Sequence, residues 1–190
     1  KASTSLGTGV DAVIVNSGGI RASIPAGDIT KRMLNDVYPY DNVLVRMDVT
    51  GAQLLETLEA STQGIPEPIG AFPQVEGITF TLDTSVPYER GEQYPDSTYH
   101  APAKPGSRVT ITDVGGKGFD LNATYSLVTL EFIANGGDTY YCLKEAASRG
   151  LDRMSSNVRD TIGDYLEDGL GGVVPERYAT PQGRITILGQ

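Results

Sequence analysis

Residues 124–141 read TYSLVTLEFIANGGDTYY. The first part, TYSLVTLEF (124–132), is rich in β-branched and aromatic residues and predicts a strand. Asn135-Gly136-Gly137 then predicts a tight turn, and TYYCLKEAASRG (139–150) a helix ended by Gly150. A strand, a glycine turn and a helix in succession fit neither an all-β nor an all-α chain. The turn also carries more than a reversal needs. An aromatic, Phe132, stands before it and a carboxylate, Asp138, directly after it. Each has an ordinary explanation, Phe132 as the end of a core strand and Asp138 as the N-cap of the next helix.

The mixture extends in both directions. AVIV (12–15) predicts a short strand buried on both faces, and NSGGIRASIPAGD (16–28) a loop. Thr30 caps a helix over KRMLNDV (31–37). NVLVRMDVT (42–50) alternates as a strand, with Val43, Val45, Met47 and Val49 on one side and Leu44, Arg46 and Asp48 on the other. Thr50 then caps GAQLLETLEAST (51–62), where Leu54, Leu55 and Leu58 share a helix face. GITFTLD (77–83) and SRVTITDV (107–114) are strands. Between them lies a proline- and tyrosine-rich excursion, residues 84–106, at a hairpin tip. SSNVRDTIGDYLEDG (155–169) is a helix capped by Ser155 or Ser156, and GRITIL (183–188) a final strand. The expected class is α+β with a mixed β-sheet and packed helices.

Composition narrows the partners. The 190 residues suit a single domain that buries roughly 70% of its unfolded surface. A net charge of −9 opposes a polyphosphate, so no nucleic-acid polymer is expected. No apolar run reaches the roughly 18 residues of a membrane span. One cysteine, Cys142, excludes an internal disulfide and a cysteine-based metal site, and fits cytosolic and exported proteins alike. The single histidine, His100, sits in the excursion and reads as a solvated loop residue. The start, KASTSLGTGVDAVIV, is abrupt and lacks a signal-peptide pattern, as a piece of a longer chain would be.

Three further stretches could carry chemistry. In NSGGIR (16–21), two glycines let the backbone approach a ligand and Arg21 can grip an anion. In YPYDNVLVR (38–46), Asn42 offers a donor and an acceptor at a strand mouth, and Arg46 follows inside the strand. In GAFPQVEGI (70–78), Phe72 precedes a proline that holds its backbone extended. Taken singly, a turn, an edge arginine and a core phenylalanine account for them.

Taken together, VNSGGIR, YPYDNVLV with its following VTG, FPQVEGITF, FIANGGD and the terminal GRIT stand in the order and spacing of the C-terminal domain of the 5′-nucleotidase family. The resemblance runs from about Ala12 to Ile187. It implies a nucleoside-binding domain whose parent is a secreted, periplasmic or cell-surface nucleotide phosphohydrolase. Such enzymes also carry an N-terminal metallophosphatase domain with two divalent metal ions, absent from this chain. The resemblance assigns Phe72 and Phe132 to the two rings that sandwich the base. It assigns Asp138 to the ribose hydroxyls, Asn135, Gly136 and Gly137 to the turn beside the sugar, and Asn42 to the base. Arg21 matches a phosphate-binding arginine, and Arg46 a second one. Where the family has a helix with an Asn-Leu-Val-Ala-Asp-Ala-like run, this chain has KASTSLGTGVDA.

The expected substrate is a nucleoside or nucleoside monophosphate, with no cofactor, catalytic residue or metal ligand in this chain and no activity of its own. Two alternatives keep the fold. One is a 2′,3′-cyclic phosphodiesterase/3′-nucleotidase or a nucleotide-sugar hydrolase, to which the tyrosines of YPY lend weight. The other is a non-enzymatic surface module contacting its ligand through Tyr88, Tyr94 and Tyr99.

Overall fold

The computed structural model describes residues 9–189, so the departure from the family pattern at the chain start lies largely outside the described residues. Five strands form the first sheet: β1 (Ala12–Asn16), β2 (Val43–Thr50), β3 (Pro73–Glu76), β9 (Thr124–Leu130) and β10 (Asp152–Asn157), in the order β10-β2-β9-β1-β3. β1 and β9 run parallel, and the other neighbours are antiparallel. β9 is central, and every residue from Tyr125 to Leu130 is buried. Burial on both faces is why TYSLVTL carries no charged residue.

A second sheet contains β4 (Ile78–Asp83), β7 (Val109–Val114), β8 (Lys117–Gly118) and β11 (Ile185–Leu188), in the order β11-β4-β7-β8. Gly77 is the corner between the sheets, the one residue between β3 and β4. Its φ is +72°, and a Cβ there would lie 2.3 Å from the Asp11 carbonyl oxygen. Only glycine meets both demands.

The helices α1 (Lys31–Val37), α2 (Gly51–Ser61), α4 (Tyr141–Ala147) and α5 (Val158–Asp164) complete the packing, with one short helical turn, α3 (Glu131–Ala134). Thr30 and Thr50 cap α1 and α2 as expected. At α2 the cap is reciprocal: Thr50 Oγ1 accepts from the Gln53 amide, and Gln53 Oε1 accepts from the Thr50 amide. α2 packs against β2, α4, β7 and the small strand β6 (His100–Pro102), which buries Leu54 and Leu58 completely.

Four expectations change. The strand expected over 124–132 ends at Leu130, and Phe132 stands on α3. The cap of α5 is Asn157, whose Oδ1 accepts from the Asp160 amide, and Ser155 and Ser156 belong to β10. The excursion folds as a hairpin of β5 (Arg90–Gln93) and β6, so His100 is a half-buried strand residue. Two tyrosines of the excursion, Tyr88 and Tyr94, turn inward. Tyr94 is buried, stacks on Tyr141 at 4.8 Å and donates to Glu56, and Tyr88 donates to the His100 carbonyl. Burial pushes the hydroxyl pKa of both well up. Of Tyr88, Tyr94 and Tyr99, Tyr99 is thus exposed, Tyr88 half-buried and Tyr94 withdrawn from the surface.

Candidate functional site

Sheet topology gathers the singled-out residues. Because β1 and β9 are parallel, their C-terminal ends leave the sheet at one edge. β2 and β3 run the other way, so their N-terminal ends reach the same edge, where Leu44 pairs with Leu130 and Asn16 with Pro73. The segments continuing from these ends are Ser17–Arg21, Phe72, Asn42 and 131–138. Residues far apart in the chain thus become neighbours through strand direction alone.

Hydrogen bonds tie the segments together. Ser17 donates to the Phe72 carbonyl through both its amide (2.9 Å) and its hydroxyl (2.8 Å). The Gly18 amide donates to the Gly70 carbonyl at 2.7 Å. The hydroxyl of Tyr140, wholly buried, donates to the Ala71 carbonyl at 2.6 Å and so joins the Asp138 loop to the Phe72 segment. Burial drives the Tyr140 pKa well above the ordinary phenol value. Asp138 receives a hydrogen bond from Asn16 Nδ2 at 2.8 Å.

The turn after Phe132 is explained by what surrounds it. Gly136 adopts φ +84°, which a side chain would resist. At Gly137 the reason is space, since a Cβ would lie 2.5 Å from the Phe132 ring. Asp138 itself has φ +52°, a left-handed conformation that Asp tolerates better than most residues. It does not cap α4, whose N-cap is Tyr140 without a side-chain bond. Phe132 is 45% exposed and Phe72 half-buried, so neither ring is consumed by the core. Among the described residues the ring pairs in contact are Tyr94–Tyr141 and Phe119–Tyr125, which leaves Phe72 and Phe132 unstacked on each other.

Arg21 is exposed and folds back to donate to the Gly18 carbonyl at 3.2 Å. Asn42 is half-buried, and its carbonyl accepts from Val158. Asn135 is exposed on the turn. Arg46 does not join them. Its Nε donates to Ser126 Oγ at 2.8 Å and its guanidinium to the Gly9 carbonyl at 3.0 Å, toward the opposite edge of the sheet. It fastens the segment leading into β1, and its two hydrogen bonds hold it there rather than among the gathered residues.

Sequence reasoning gave Asn16 no role, although it opens the motif NSGGIR, and it missed Tyr140. Gly18 of that motif also has a role within the fold. A Cβ on Gly18 would stand 3.1 Å from the Gly70 carbonyl oxygen and 3.3 Å from Asn16 Nδ2. The missing side chain of Gly18 makes room for neighbouring backbone and for the Asn16 amide. Two hollows, of about 530 Å³ beside Gln93–Thr98 and about 440 Å³ between α1 and α5, are lined by none of the expected site residues.

The sequence model of the 5′-nucleotidase, C-terminal domain family matches residues 2–145. The chain belongs to that family. All the gathered residues, from Asn16 to Asp138, lie inside the match, whereas β10, α5 and β11 lie beyond it. Among curated relatives, the trifunctional nucleotide phosphoesterase protein YfkN of Bacillus subtilis is 38% identical over 151 residues, 76% of this chain and 9% of that protein. Protein UshA of Escherichia coli is 34% identical over 133 residues, 70% of this chain and 20% of that protein. A 5′-nucleotidase precursor of Thermus thermophilus superposes with a TM-score of 0.75 at 32% identity, covering 95% of this chain and 32% of that one. The family fold therefore continues past residue 145. The chain spans only about a tenth to a fifth of the length of these two curated relatives. Among the described residues no group of three or more His, Cys, Asp or Glu is placed to hold a metal ion. No described helix is long and apolar enough to cross a membrane.

Proposed function

We propose that this chain is the nucleoside-binding domain of a nucleotide phosphohydrolase that releases nucleoside and phosphate. The observation that carries the reading is the gathering of Phe72, Phe132 and Asp138 at one sheet edge, with the rings apart and the carboxylate held by Asn16. A flat base between two rings gains contact on both faces and is tolerated whatever its identity. A carboxylate beside them can accept from both hydroxyls of a ribose. Asn42 at the same edge offers a donor and an acceptor to the base, and Asn135-Gly136-Gly137 lets the sugar lie close to the backbone. Arg21 is free to turn from the Gly18 carbonyl to a phosphate.

The donor set for a metal centre is missing from the described residues. Two divalent ions, with the water-activating chemistry they supply, belong in this reading to an N-terminal metallophosphatase domain of the same parent. This chain's residues bind and orient. The names of the relatives, nucleotide phosphoesterase and 5′-nucleotidase, support the substrate class, and a secreted, periplasmic or surface location is part of the same proposal.

Calorimetric titration with adenosine tests the reading. Two stacked faces at about 1–3 kcal/mol each, opposed by at least about 4 kcal/mol of lost freedom, give a millimolar to high-micromolar dissociation constant. Phe132→Ala abolishes measurable binding in this reading. Retention of full affinity in that variant, or no adenosine binding by the parent chain, overturns it.

A further inference from the structure

Asn16 is 6% exposed at the end of β1. Its Nδ2 donates to Asp138 Oδ2, while its Oδ1 is buried and has no partner. Stability alone does not favour such a residue, because a buried unpaired acceptor is a penalty an apolar side chain would avoid. The neighbouring glycine leaves room for the amide: a Cβ at Gly18 would stand 3.3 Å from its Nδ2 and crowd it, while one at Gly19 would make only ordinary contact, 3.5 Å from its Oδ1. Turning the amide over would set Oδ1 against the carboxylate, acceptor to acceptor. Hydrogen bonding thus sets the amide as a donor aimed at one oxygen of Asp138, whose own backbone is held in the left-handed region. Among the described residues this is the only hydrogen bond to the Asp138 side chain.

We propose that Asn16 is a positioning residue that fixes the Asp138 carboxylate for the vicinal diol of a ribonucleoside, and so sets the preference for ribose over sugars lacking those hydroxyls. The proposal rests on the nucleoside-binding reading above. One carboxylate oxygen is anchored before the ligand arrives, and the other faces it. Two hydroxyls can engage together only if the carboxylate plane is already set, and pre-setting it removes an ordering cost from binding. The ligand never touches Asn16, which acts through Asp138.

Calorimetry with adenosine and 2′,3′-dideoxyadenosine on the parent chain, Asn16→Ala, Asp138→Ala and the double variant separates the possibilities. The parent chain prefers adenosine. Asn16→Ala loses about tenfold in adenosine affinity and less than twofold in dideoxyadenosine affinity, the size of one charge-assisted hydrogen bond. In the Asp138→Ala background, Asn16→Ala has no further effect. Asn16→Asp keeps the shape, presents an acceptor to Asp138 and shows the same selective loss, which keeps the question open to a negative answer if the alanine variant does not fold. Equal losses for both nucleosides, or wild-type selectivity in Asn16→Asp, overturn the positioning role while adenosine binding by the parent chain leaves the nucleoside reading standing. Equal parent affinity for the two nucleosides overturns the diol role and this proposal with it, and leaves nucleoside binding standing. A parent chain that binds neither overturns both.

Discussion

Arg21 and Arg46 carry the same guanidinium and serve different ends. Arg21 lies in an exposed loop at the gathered edge, with one weak tie to the Gly18 carbonyl. Arg46 is engaged by Ser126 and Gly9. The distinction follows from strand geometry. Four residues along an extended strand cover about 13 Å, so an edge position at Asn42 puts Arg46 well inside the sheet. Arg46→Ala should therefore leave adenosine affinity within about twofold and lower stability by about 1–2 kcal/mol, two hydrogen bonds' worth. Calorimetry and urea unfolding on the same preparation check both halves. At this scale the sequence was legible where the signal is local: Gly136 after an aromatic, Phe72 before a proline. It was silent where the partner is remote. Asn16 and Asp138 are 122 positions apart, and no spacing rule predicts their hydrogen bond.

At the C-terminal end of α2, a wholly buried carboxylate organises the start of β7. Glu59 accepts from the amides of Gly106, Arg108 and Val109 and from the Ser107 hydroxyl, at 2.9–3.1 Å for the shortest contact to each. Arg108, also buried, donates to the carbonyls of Thr62 and Ile65 just beyond the helix. A carboxylate survives such burial because every donor around it is aimed inward. Glu59→Ala strands three backbone amides and should cost at least about 3 kcal/mol, read as a lowered urea midpoint with unchanged slope. Elements with strong period or cap signals were readable in advance, α2 with its Thr50 cap and its leucine face above all. β10 was not. Its sequence DRMSSN is polar because it is a largely exposed edge strand, and the run Ser-Ser-Asn offers three plausible caps for one helix. The inward turn of Tyr94 depends on Tyr141 and Glu56, neither of them near in sequence.

Over the whole molecule, ionisable groups that prefer to stay protonated set the pH response. Tyr88, Tyr94, Tyr140 and Cys142 all have pKa values raised chiefly by burial. The unfolded chain releases these protons near pH 9–10, and the folded chain holds them to higher pH. Folding therefore retains protons in alkali. The contribution of these groups is fully present below about pH 9 and shrinks as pH rises beyond it. The urea midpoint should change little between pH 7 and 8 and fall clearly by pH 10.5. The fold class could be read from the alternation of strand and helix patterns. The division into two sheets could not, because it turns on Gly77, whose necessity lies in a carbonyl of Asp11.

The parallel pairing of β1 with β9 has a consequence in time. Ala12 pairs with Leu127 across a separation of 115 residues, as does the bond from Thr129 to Ile14. Contacts of such span close late and slowly, because the entropy of a very long loop must be lost before they form. During synthesis Asn16, Asn42 and Phe72 emerge well before Phe132 and Asp138. A nascent fragment ending before β9 therefore lacks both the parallel pairing and the residues that complete the gathered edge.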